Sequence, residues 1–249
     1  MRAGACRILR LIRGKWTLEA QIGEFILALP MLVFAMVAHE YAHGAAALSQ
    51  GDDTALMLGR LTLNPVPHID PWMSLILPGL LFWSTGGKFV LGGAKPVPVT
   101  PRKYRNYRRG DIIVSAAGVV TNLGLALVCA LLFALLGLIA GGAPASAPVL
   151  DTAQRMLMWG IWLNVLLCFF NLIPIPPLDG SHIVYHLLPA RAGAAYRSIN
   201  RFGILPLLAI VFFFPRLLSV LLTPAWAGLG LLTRLIAPYQ IGTGLGIFG

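Results

Sequence analysis

The chain has 249 residues, of which 57% are hydrophobic and only 11% charged, whereas an ordinary soluble domain carries charge on about a quarter of its residues. Its mean hydropathy of +0.79 and several apolar runs of bilayer length exclude a disordered chain and place most of it in a membrane, whose hydrocarbon core takes about 20 helical residues. The formal charge of +10, from 19 basic against 9 acidic residues, sits mainly at the ends and connections of apolar segments, as membrane anchors do, so nucleic acid is not an expected partner.

In chain order, a basic tail (Arg2, Arg7, Arg10, Arg13, Lys15) precedes a first span over about Glu24 to Leu48. A basic start followed by Phe25 to Ala38 also has the form of a signal peptide, with Ala35 and Ala38 as small residues near a cleavage point. The chain stays membranous long afterwards, and cleavage there would sever its most informative motif, so retention is expected. A turn-rich region, Gly51 to Pro71, leads to the apolar stretch Trp72 to Val90, which Pro78 and the pair Gly86 and Gly87 interrupt. This punctuation argues against one straight span and for a segment that enters and leaves on one side. LGGAKPVPV then reads as extended backbone, and Arg102, Lys103, Arg105, Arg108 and Arg109 form a basic cluster.

Further spans are expected at Asp111 to Ala140, about Met156 to Ile173, and roughly Ile204 to Leu222, with Trp226 to Ile236 as a final partial or whole one. The expected fold is an all-α polytopic membrane protein forming one domain over residues 1–249, with four to six transmembrane helices and a re-entrant or β-hairpin-like segment after the first. Cys6, Cys129 and Cys168 form no CxxC pair, so no disulfide framework is implied.

His39, Glu40 and His43 spell HEYAH within the first span. At about 100° per residue, positions i and i+4 share a helix face, so two imidazoles reach one metal with the carboxylate beside it. Zinc accepts neutral imidazole nitrogens and acidifies a water, and a glutamate can take that water's proton. Ionisable groups inside an apolar span are costly, and a metal would compensate three of them together. A catalytic zinc needs a third protein ligand. The only glutamates are Glu19, Glu24 and Glu40, and Ser49 stands six residues past His43, so the usual partners of soluble HExxH enzymes are missing. The remaining candidates are Asp52, Asp53, His68, Asp70, Asp111, Asp151, Asp179, His182 and His186. Asp179 stands out because NLIPIPPLDG presents it directly after a break made by Pro174, Pro176 and Pro177, although an ordinary surface turn would read the same way.

These motifs resemble the site-2 proteases, intramembrane zinc metalloproteases. HEYAHG is similar to their HExxH signature, and Asn171 to Gly180 to their NxxPxPxLDG signature. Gly118 to Asn122 resembles their GxxxN feature, with Val119 where proline often stands. GRLTLNPVPHIDP and GGAKPVPV resemble the compact branch without appended PDZ or CBS domains. The resemblance, covering most of residues 24–222, implies one catalytic Zn2+ held by His39, His43 and Asp179, with Glu40 as general base. It also implies that Asn171 or Asn122 holds substrate backbone or the oxyanion, although either asparagine serves equally as interhelical glue. The implied activity is endopeptidase cleavage in or near transmembrane segments of membrane proteins, that is, regulated intramembrane proteolysis.

A helical substrate hides its scissile amide in its own hydrogen bonds, so it must unwind. LGGAKPVPV, with residues around Leu61 to Pro65, is expected to receive it by strand addition. His68 and Asp70 are expected to satisfy their own loop or stand behind the metal ligands, and His182 and His186 to lie at a surface or interface. The alternative function is a metal-binding membrane carrier or scaffold without hydrolysis. A full span at Trp72 to Val90 would satisfy the positive-inside rule but would separate His43 from Asp179. Convergence of the ligands favours the re-entrant form, with the site towards the cytoplasmic side and the N-terminal tail outside or along the surface. The bilayer and client helices are the expected partners, and nothing in the sequence specifies an oligomeric state.

Overall fold

The computed structural model describes residues 18–85, 92–142 and 144–242; the basic tail, Cys6, the Gly86 and Gly87 pair and the end of the Trp72 to Val90 stretch lie outside these. The protein is an all-α polytopic membrane protein, and the described residues contain no strand. Among the described residues three helices are long and apolar enough to cross a bilayer: α1 (Leu18–Ser49), then, after the short α2 (Thr54–Met57) and α3 (Leu77–Ser84), α4 (Tyr107–Gly142) and α5 (Ala147–Asn171). There follow α6 (Asp179–Leu187), α7 (Ala190–Arg197), α8 (Leu205–Phe213), α9 (Pro215–Leu221) and α10 (Thr223–Ile236). The expected span over Ile204 to Leu222 is broken into α8 and α9. Pro215 has no N–H to donate and drives Phe214 out of helical geometry, to φ −129° and ψ 54°. The helix pair Pro215–Leu221 and Thr223–Tyr239, bent by 50°, supplies a fourth crossing if taken as one.

The central helix is α5. In its most apolar window 72% is buried within the protein, against 28% for α4, whose Val120, Leu127, Leu131 and Leu138 are exposed to lipid. Lipid offers helices no hydrophobic drive to associate, so close packing and buried polar contacts must do so. Gly160 supplies the first: a Cβ there would lie 2.8 Å from Cys129 Sγ on α4. Glu24 supplies the second, buried on α1 and accepting hydrogen bonds from Arg155 and from Trp159 Nε1 on α5. Cys129 and Cys168 are buried free thiols in this packing.

Glu24 meets the start of α5, and His39 meets Asp179 just beyond its end, so α1 and α5 run parallel. Helix α4 runs antiparallel to α1: Asn122 reaches Ala35, Gly118 lies against His39, and Val114 reaches His43.

Residues 50–106 leave and return at one end. Asp70 caps a π turn, Pro71–Ile76, by accepting from the N–H groups of Trp72 and Met73, and α3 continues inward until Phe82 and Trp83 pack on Phe25. The chain then returns as extended backbone over residues 92–100: Gly93 N–H donates to Met73 O (2.9 Å), Lys95 N–H to His68 O (2.7 Å), and Arg105 N–H to Gln50 O (2.8 Å). Gly92 is required where the two limbs touch, since a Cβ would lie 2.8 Å from Pro78 Cγ and 3.0 Å from Met73 O. The described residues on either side of 86–91 thus begin and end at the same end of α1, as the N–H of Arg105 on Gln50 O shows.

Candidate metal centre

His39 lies about 15 Å, by helix rise, inside the end of α1 at Ser49. Its Nε2 is 3.0 Å from His43 Nε2, and the two nitrogens are 3.2 and 3.4 Å from Asp179 Oδ2. Among the described residues this is the one set of three or more His, Cys, Asp or Glu side chains with converging ligand atoms. Asp179 arrives because α5 ends at Leu172, where Pro174, Pro176 and Pro177 prevent continuation, and the chain restarts as a helix at Asp179 itself. Gly180 makes that restart possible: a Cβ there would collide with Leu172 O and lie 2.8 Å from Ile173 O.

The outer nitrogens reveal what these three groups need. His43 Nδ1 lies 2.7 Å from Val114 O, a carbonyl that can only accept, so Nδ1 carries the proton and Nε2 a lone pair. His39 Nδ1 lies 2.5 Å from Asn122 Oδ1 and likewise donates. Two lone pairs therefore point at one another and at Asp179 Oδ2, a buried atom that accepts no hydrogen bond. One proton could relieve one of these contacts; a divalent cation relieves all three. Tetrahedral zinc with bonds of about 2.0–2.1 Å holds its donors about 3.3 Å apart, so both the spacing and the nitrogen and oxygen donor set fit Zn2+.

The GxxxN residues both serve His39. Gly118 lets α4 lie against the imidazole face, where a Cβ would be 2.5 Å from Cε1, and Asn122 Oδ1, one turn further, accepts the hydrogen bond from Nδ1–H. Asn122 spends its amide hydrogens inside the protein, on Asn164 Oδ1 (2.8 Å) and Ala35 O (3.4 Å). Asn171 donates to Leu167 O one turn back (3.0 Å) at the end of α5. Glu40 is partly exposed, and its Oε2 accepts from Val97 N–H at 2.7 Å, tying the motif helix to the extended segment.

The other acidic and histidine candidates stand apart from the trio. His68 is fully buried and donates from Nε2 to Thr62 O, while Asp70 serves as the cap already described. Asp52 and Asp53 hold the turn after α1, and Lys103 pairs with Asp53 at 2.6 Å. Asp111 on α4 takes His186 Nε2 (2.7 Å) and His182 Nδ1 (3.4 Å), pinning α6, and with it Asp179, against α4. His186 is buried between helices and His182 is partly exposed. Sequence reasoning missed Asn164, for which helical register alone gives no signal; a buried polar side chain on the central helix was the available hint.

A lipid-embedded helical bundle presenting HExxH and a distal aspartate to one zinc-sized point defines an intramembrane zinc metalloprotease. The comparisons bear this out: the model of Peptidase family M50 matches residues 135–214. YwhC of Bacillus subtilis (strain 168), described as a candidate zinc metalloprotease, is 35% identical over 179 residues, covering 72% of this chain and 77% of its own. Rip2 of Mycolicibacterium smegmatis, described likewise, is 34% identical over 163 residues, 64% of this chain and 56% of its own. Rip3 of Mycobacterium tuberculosis is 26% identical over 168 residues, 68% of this chain and 32% of its own. No solved structure matches the chain. The chain belongs to peptidase family M50, the site-2 proteases, and is a zinc metalloprotease rather than the non-proteolytic carrier weighed above.

Proposed function

We propose that His39, His43 and Asp179 hold the catalytic zinc, that Glu40 is the general base, and that the substrate is a membrane-protein helix unwound along residues 92–100. The observation that carries this is the convergence of two lone-pair nitrogens and a buried, unbonded carboxylate oxygen within 3.4 Å of one another. When bound, zinc acidifies a water and polarises a carbonyl. Val97 N–H holds Glu40 Oε2, leaving Oε1 to accept the proton as peptide attack proceeds and to return it to the departing amine. Asn171 is the amide best placed to turn from Leu167 O towards a developing oxyanion, since Asn122 is committed to His39.

The extended segment gives the substrate a register. The N–H groups of Gly93, Lys95 and Val97 are used on Met73, His68 and Glu40, so a client strand pairs with the opposite edge at residues 94, 96 and 98. Pro96 and Pro98 cannot donate there, and the pairing relies on carbonyls accepting from the client, with Pro96 O also accepting from Arg60 at 3.3 Å. The basic cluster from Arg102 to Arg109 lies at the same end as the site, which supports a cytoplasmic position for that end.

Purified protein incubated with a single-span peptide in detergent or vesicles tests this reading. Cleavage that a chelator stops, and that Glu40→Gln abolishes while zinc content is retained, is expected. Undiminished cleavage by the Glu40→Gln variant would refute it.

A further inference from the structure

His39 is useful to a metal only as the tautomer protonated at Nδ1, and the hydrogen bonds show what selects that tautomer. Gly160 O, a backbone carbonyl of α5, can only accept, so the group of Asn164 that lies 2.8 Å from it is Nδ2. Asn164 must therefore turn Oδ1 towards Asn122, which answers with Nδ2 at 2.8 Å, and this in turn leaves Asn122 Oδ1 facing His39 Nδ1. Both asparagines are buried, Asn122 at 0% and Asn164 at 1% exposure, so no water competes for either amide.

We infer that Asn164 is a positioning residue for zinc: by fixing the amide of Asn122 through Gly160 O, it locks His39 in the Nδ1-protonated tautomer. The inference rests on the reading of His39 as a ligand. Without the Asn164 acceptor, only the longer bond to Ala35 O (3.4 Å) opposes turning the Asn122 amide over to offer Nδ2–H to His39. The imidazole then moves its proton to Nε2, where it points at His43 and Asp179 and occupies the place of the ion. Partners that fix a ligating histidine's tautomer typically contribute 10–100-fold in metal affinity. Asn164 touches no ligand, and its effect passes wholly through the Asn122 amide.

Zinc affinity of the purified full chain, measured by competition with a chromophoric chelator, tests the inference. Asn164→Leu removes the acceptor and is expected to weaken zinc binding about 10–100-fold, whereas Asn164→Asp keeps an acceptor for Asn122, against a repulsive contact with Gly160 O, and is expected to bind zinc more tightly than Asn164→Leu. In an Asn122→Asp background either orientation presents oxygen to His39, so adding Asn164→Leu is expected to change affinity less than about 3-fold. Should Asn164→Leu fail to fold, Asn164→Ala removes the same acceptor and carries the same expectations. Parental affinity in the apolar variant, or an equal loss in both backgrounds, would overturn the inference. His39→Ala separates the two readings. If it abolishes binding while the apolar variant binds normally, only the positioning role fails; if it leaves zinc affinity unchanged, the ligand reading fails as well.

Discussion

At the scale of single residues, the centre is built by removing atoms as much as by placing them. Gly118 has no side chain because the His39 ring fills that space, and Gly180 has none because α6 must start against Leu172 O. Gly118→Ala puts a methyl group 2.5 Å from His39 Cε1 on a helix that cannot yield. It is expected to cost about 1–3 kcal/mol of stability by overpacking and to weaken zinc at least as much as loss of an outer hydrogen bond, about 10–100-fold. Thermal unfolding and chelator competition check both. The convergence of His39, His43 and Asp179 was legible in the sequence because metal ligation demands residue type and local spacing. Asn164 was not, because its importance lies in which side chain of α4 it meets, and one strand of sequence contains no such pairing. Asn122 was legible as a polar residue needing a partner, but not as the proton acceptor of His39.

Among elements, an irregular segment lies beside Glu40 of the motif helix. Residues 92–100 are held beside Glu40 at Val97 and anchored at their far end by Asp52, whose Oδ1 accepts from Thr54 and whose Oδ2 accepts from Thr100 N–H at 2.5 Å. Burial alone would raise the Asp52 pKa, but the Thr100 and Thr54 hydrogen bonds, aided by Lys103, outweigh it and hold the carboxyl below its ordinary range. A folded pKa below the unfolded one contributes stability above the unfolded value, near pH 4, and loses it as pH falls through the folded value. Asp52→Asn turns an acceptor into a donor facing an N–H, and is expected to cost about 1.5–3 kcal/mol at neutral pH. The difference from the parent should shrink below about pH 4; melting curves from pH 3 to 7 would show it, and a constant difference would contradict it. The long helices were legible from hydropathy, since each carries a full bilayer length of apolar residues. The course of the next limb was not legible from hydropathy, which scores Trp72 to Ser84 as apolar whether or not it crosses; the Asp70 cap and the contacts of Gly92 and Gly93 with Pro78 and Met73 are what bring the described return limb beside it.

For the whole molecule, the parallel run of α1 and α5, with α4 antiparallel between their polar contacts, brings residues 140 positions apart to one point. Met57 and Arg102 flank the re-entrant segment at the site end, and Gly141 closes α4 at the other. In a cysteine-free background, Met57→Cys and Arg102→Cys are expected to react with a membrane-impermeant maleimide only from the cytoplasmic side, and Gly141→Cys only from the opposite side. Labelling of the first two from opposite sides would contradict a re-entrant segment.

The most direct measurement is zinc X-ray absorption on the purified protein. The account predicts a first shell of nitrogen and oxygen at about 2.0–2.1 Å with two imidazoles, reduced to one imidazole by His39→Ala and losing a carboxylate oxygen in Asp179→Ala. A sulfur shell at about 2.3 Å, or a spectrum that neither substitution alters, would contradict it.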